Sequence, residues 1–158
     1  MDLSEVLPFG QLNWVAILGC VVVSMLLGYA WYAPFGFGKI WMREEGVTAA
    51  DARRHMARAI GVSALGAVFA SVAMAVVLYH MSFIVDQFFY ADEYLFNAAV
   101  LGLVIGLGFA VPLVMAEVGF AGRSIRLAAV HGGYRLVQFM LIAIILAQWP
   151  GPQDTFSP

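Results

Sequence analysis

Four stretches of this chain stay apolar for about twenty residues at a time, which is the length that crosses a bilayer core as a helix. They are Leu12–Tyr32, Ala59–Tyr79, Ala98–Val118 and Leu127–Trp149. The first two contain no charged residue; the third carries only Glu117, near its end, and the fourth only Arg135. The runs are continuous rather than alternating, which argues against a strand barrel. The pattern predicts an all-α integral membrane protein. It is a four-transmembrane-helix bundle forming a single membrane domain over residues 1–158.

The polar connections give the expected orientation. The first loop, Ala33–Arg58, holds Lys39, Arg43, Arg53, Arg54 and Arg58, and the third, Gly119–Arg126, holds Arg123 and Arg126. The N-terminal segment, the second loop (His80–Asn97) and the C-terminal tail hold no Lys or Arg. The positive-inside rule therefore places loops one and three in the cytoplasm and both termini on the non-cytoplasmic side. The N-terminus carries Asp2 and Glu5 with no basic residue, unlike a secretory signal peptide, so the first run is expected to stay as a span. Within loop one, Thr48 reads as a helix N-cap with Asp51 in the first turn. A short helix over Ala49–Arg58 would lie along an anionic surface or run straight into the second span.

Composition agrees. Hydrophobic residues make up 63% and charged residues 11%, against roughly 45–50% and 25% in soluble domains. A net charge of −2 with no basic stripe gives no footprint for nucleic acid. The single cysteine, Cys20, precludes an internal disulfide and reads as a small packing residue.

Helices in lipid associate largely through close backbone approach at small residues. Three spans carry such residues at four-residue spacing: Ala16, Cys20, Ser24 and Gly28; Ser63, Ala67, Ser71 and Ala75; Ala98, Gly102, Gly106 and Ala110. These stripes read as packing within the bundle, or, where one is left over, as a contact between copies. Pro112 removes a backbone donor inside the third span and predicts a kink.

The most informative polar set is on the fourth span. His131, Tyr134, Arg135 and Gln138 share one helical face, with Leu141, Ile142 and Ile145 continuing the span in apolar fashion. A charge at Arg135 costs at least about 2.5–3.5 kcal/mol in the membrane unless paired, hydrated or snorkelling. Glu117 is the expected partner. The face reads as an interhelical lock, with a proton or anion pathway and a lipid-headgroup or cofactor site as alternatives. His55, His80 and His131 are spread over different depths, unlike paired haem ligands, and no Cys/His spacing suggests zinc. No P-loop, nucleophile elbow or zincin motif is present, so neither an enzyme nor a bound metal or cofactor is expected.

Trp31, Tyr32, Pro34 and Trp41 form an expected interfacial anchor: proline ends the first helix and the rings suit the headgroup layer. The run Trp31-Tyr32-Ala33-Pro34 followed by Phe37-Gly38-Lys39-Ile40-Trp41-Met42 resembles the hallmark of the bacterial family of unknown function numbered 1761. Similar too are Asn13-Trp14 before the first span, the glycine-rich third span (Leu101-Gly102 through Gly106-Leu107-Gly108-Phe109) and the Gly122-Arg123 loop. So is the fourth span, opening with Gly133-Tyr134-Arg135-Leu136-Val137 and ending in Trp149. The resemblance covers about residues 12–149. It implies a four-span membrane protein and supplies no activity. This chain departs from the pattern in a longer, more aromatic second loop. There Phe83, Phe88, Phe89, Tyr90, Tyr94 and Phe96 accompany Asp86, Asp92 and Glu93, a composition suited to a bilayer surface or a protein partner.

The expected function is a non-enzymatic accessory or structural subunit of the inner membrane. It would act through protein–protein interaction with another membrane protein or as a homo-oligomer. The alternative is a small dimeric transporter or channel working through the polar face of the fourth span.

Overall fold

A computed structural model describes residues 9–88 and 94–149, with the side chains of all of these except 82–88 and 94. The aromatic side chains of Phe83, Phe88, Phe89, Tyr90 and Tyr94 therefore lie outside the described residues. Every element among the described residues is helical. Helix α1 spans Trp14–Trp31, α2 Gly38–Glu45, α3 Ala49–Arg54, α4 Met56–Phe88, α5 Tyr94–Ile105, α6 Val111–Phe120 and α7 Ile125–Gln148. Four membrane-length apolar helices result: α1, α4, the third span formed by α5 and α6 together, and α7.

Local chemistry sets the boundaries. Asn13 caps α1 by accepting from the Ala16 amide at 3.0 Å. Thr48 and Asp51 form a reciprocal capping box on α3, as the sequence predicts. Ser124 caps α7 by accepting from the Leu127 amide. The short helix after Thr48 ends at Arg54, and α4 starts afresh at Met56 after a turn at His55. The second span is also longer than its apolar run. Helix α4 continues through His80 to Phe88, and α5 begins at Tyr94, so most of the segment read as a second loop is helical.

Pro112 disturbs the third span in a specific way. Residues Gly106–Ala110 adopt a π-helical turn, and the Val111 amide donates back to the Gly106 carbonyl. Proline cannot donate to the ordinary i−4 carbonyl, and a widened turn is one known accommodation of that missing bond.

Helix α7 is the hub. It packs against α1, α4, α5 and α6, whereas the third span has its principal partner in α7. The small-residue stripes make this possible. A Cβ added at Gly102 would lie 2.6 Å from the Phe139 carbonyl oxygen and 2.7 Å from the Met140 Cα, and one at Gly106 would lie 2.9 Å from Leu136. On α1, Ala16, Cys20 and Ser24 are buried, and Gly28 faces the Tyr134 ring. On α4, Ala67, Ser71 and Ala75 are buried, while Ser63 is exposed. The stripes are thus consumed inside the bundle, except at the N-terminal end of α4. An apolar cluster of Cys20, Met74, Ala98, Ile142, Ala143 and Ala147 closes the half of the bundle away from α2.

Candidate functional site: the polar end of the fourth helix

The turn after α1 determines what reaches α7. Three backbone bonds tighten it: Gly36 N–H to the Ala33 carbonyl, Phe37 N–H to Trp31 and Gly38 N–H to Ala33. A Cβ at Gly36 would sit 2.5 Å from the Ala30 oxygen, and one at Gly38 would strike the Tyr32 carbonyl. Only glycine lets the chain reverse this closely. Helix α2 consequently folds back against the start of α7, bringing loops one and three together at one end of the molecule.

The rings of this hairpin bond to α7. Trp31 Nε1 donates to the Val130 carbonyl at 3.0 Å. The Tyr32 hydroxyl and His131 Nδ1 are 2.7 Å apart. Tyr32 also stacks obliquely on Tyr134 and meets Trp41 edge-on. Trp41 packs against a cluster of Val118, Leu127 and Ala128. Of the residues read as an interfacial anchor, Trp31, Tyr32 and Trp41 staple the first span and α2 to the fourth span, whereas Pro34 is exposed.

Two acids that the sequence reading did not single out complete the arrangement. Glu45 Oε1 lies 3.7 Å from His131 Nε2, and its other oxygen lies 3.6 Å from Arg123. The imidazole thus bridges the ends of α1 and α2, with Nε2 toward Glu45 and Nδ1 toward Tyr32. Glu44 accepts from the Ser124 hydroxyl at 2.6 Å and from Arg43 at 3.1 Å. These two bonds, with the nearby Arg43 and Arg126 charges, hold the Glu44 carboxyl below the usual carboxylate range. The signal in the sequence was charge complementarity: Glu44-Glu45 closes one loop, and Arg123 and Arg126 flank the other.

Deeper along α7, Tyr134 is buried and its hydroxyl donates to the Ser24 carbonyl at 3.3 Å. Gln138 is only 1% exposed, and its Oε1 accepts from Arg135 Nη1 at 3.0 Å. That bond fixes the amide orientation and leaves the buried Gln138 Nε2 without an acceptor. The Arg135 guanidinium also lies 5.5 Å from the centre of the Tyr134 ring.

The structure brings His131, Tyr134, Arg135 and Gln138 onto one face but does not pair Arg135 with Glu117. Glu117 is exposed on α6 and has no ion pair among the described residues. Depth separates them: Val118, next to Glu117, packs with Leu127 and Ala128, about two helical turns before Arg135. Leu136, which meets Gly106 of the third span, is turned about 100° from Arg135. Among the described residues no three His, Cys, Asp or Glu side chains gather as a metal site would require.

The curated proteins and the solved structures contain no match to the chain. A family model does match, over residues 15–147, from the first span to the end of the fourth. With four membrane-length helices and that match, the chain is a multi-pass membrane protein belonging to the family described as Protein of unknown function (DUF1761).

Proposed function

We propose that this protein is a non-enzymatic subunit of a membrane assembly, completed by a second copy or by another membrane protein. The observation that carries this reading is the N-terminal part of α4. Every residue from Arg53 to Ser63 is exposed, including Met56, Ile60 and Val62, over about two turns of α4 and on all its faces. A Cβ at Gly61 would meet nothing. Small residues there, Ala57, Ala59, Gly61 and Ser63, suit close approach by another helix. The location proposed is the bacterial inner membrane, with loops one and three cytoplasmic, because seven of the eight basic residues lie on those loops.

Native mass spectrometry from nanodiscs tests the assembly, and a Gly61→Cys variant adds a crosslink at the exposed segment, since Cys20 is buried. Oligomers or a co-purifying membrane protein support the reading. A lone monomer with no crosslinked product refutes it.

Transport is the second reading, favoured by an exposed arginine beside a buried, unsatisfied amide in the fourth span. Ion and proton flux into liposomes, compared for the wild type and Arg135→Ala, separates the two. Equal flux removes transport.

A further inference from the structure

Arg135 sits where two helices leave a gap. On α7 it shares a line with Ile142 and Leu146, seven and eleven residues further on. In the far half of the bundle that line is covered: Ile142 clusters with Met74 of α4, Cys20 of α1 and Ala98 of α5, and Leu146 packs on the cluster of Ala75 of α4 with Leu12 and Ile17. The α4 face that carries Met74 and Ala70 continues toward the other end past Ala67, which is buried, to Gly66, Ser63 and Ala59. Those three residues are exposed, and a Cβ at Gly66 would meet nothing. Arg135 is itself exposed, and beyond Ala67 this face of α4 is left uncovered by the bundle.

Charge describes what fits this groove. Arg135 faces it as an exposed cation inside a span, with no carboxylate partner among the described residues. Glu44 and Glu45 are engaged by Arg43, Arg123, Ser124 and His131. Beside the guanidinium lies the Gln138 amide, 1% exposed, with its Nε2 lacking an acceptor. Beyond the Arg135–Gln138 bond, the guanidinium has no carboxylate among the described residues and Gln138 Nε2 has no acceptor. Arg135 also lies about one helical turn beyond His131, which bonds to Tyr32 at the end of the first span. That is near headgroup depth on the side carrying α2.

We propose that the groove between the second and third spans holds a phospholipid, with a phosphate oxygen on Arg135 and Gln138 and the acyl chains along α4. The oxyanion supplies the acceptor that the pair lacks, and the guanidinium fork matches phosphate geometry. Gln138 aims the guanidinium, and the Tyr134 ring supports it from the side.

The test is a lipid titration of the delipidated full-length protein, read by native mass spectrometry. The probes are phosphatidylglycerol, diacylglycerol, which lacks the phosphate, and inorganic phosphate. Wild-type protein is expected to retain phosphatidylglycerol in preference to diacylglycerol. Arg135→Gln is expected to weaken phosphatidylglycerol by about tenfold or more, the scale of one charged hydrogen bond, leaving diacylglycerol unchanged. Arg135→Lys should retain part of the preference. Gln138→Glu, which supplies an internal carboxylate, should abolish it even if Arg135→Gln fails to fold. Unchanged phosphatidylglycerol binding in Arg135→Gln or Gln138→Glu overturns the proposal. So does displacement of the lipid by millimolar inorganic phosphate, which would mark a soluble-anion site. Glu117→Gln must leave lipid binding intact. If it reproduces Arg135→Gln, a second copy supplies the counter-charge and the lipid reading is wrong.

Discussion

Individual residues at the α1–α2 turn carry costs that can be measured. Gly38 has no room for a Cβ against the Tyr32 carbonyl, so Gly38→Ala must open the turn or shift the backbone. We expect a loss of about 1–3 kcal/mol, the usual scale of forced overpacking, read as a lower midpoint in detergent unfolding. Tyr32→Phe keeps the ring and removes only the hydroxyl bonded to His131. Its cost should be smaller, about 1 kcal/mol for one hydrogen bond, in the same assay. A larger loss for Tyr32→Phe than for Gly38→Ala would contradict this ordering. The sequence made the glycines and rings of this turn conspicuous, and Thr48 with Asp51 declared its own cap. It did not disclose that Tyr32 meets His131, because that bond depends on how α2 folds back. Nor did it disclose the partner of Arg135. Depth along a helix is readable from spacing, but rotation about the axis depends on which neighbour each face meets.

Helices α2 and α7 meet through acids and bases, so their docking responds to pH. The Glu44 carboxyl is held below its ordinary value of 4.5, first by Ser124 and then by Arg43. A depressed folded value means that the contact contributes above about pH 4.5 and fades as pH falls through the lower folded value. Hydrogen exchange in α2 should therefore quicken, relative to the bundle core, when pH drops from 6 to 3. In Glu44→Gln the α2 protection should already be reduced at pH 6 and change little further; an equal pH response in both proteins would exclude Glu44 as the sensor. Between the third and fourth spans the contact is backbone to backbone. Gly102→Val pushes into the Phe139 carbonyl and Met140 Cα, and should lower the unfolding midpoint by the equivalent of about 1–3 kcal/mol. Gly66→Ala, at a position open to solvent or lipid, should change little. The glycine-rich character of the third span was legible in the sequence. The π-turn at Gly106–Ala110 was legible only as an expected kink at Pro112.

The four-span architecture was the most legible property of the whole molecule, because it needs only length and polarity, which lie in the chain itself. The hub role of α7 was not, since any of four apolar rods can occupy the centre until facing residues are compared. Epitope tags offer a check at this scale. With the proposed orientation, tags at both ends should react on intact spheroplasts, while one in loop one should react only after permeabilisation. The opposite pattern would invert the orientation without changing the bundle.

Because the rod that gathers the others follows them in the chain, consolidation of the bundle waits until α7 has been made. Until α7 enters the bilayer, α1 and α4 can pair with each other, but the third span lacks its principal partner and the Gly102 and Gly106 contacts do not yet exist. A nascent chain halted before Ile125 should therefore hold a third span still free to associate with insertion machinery. One released after Gln148 should not.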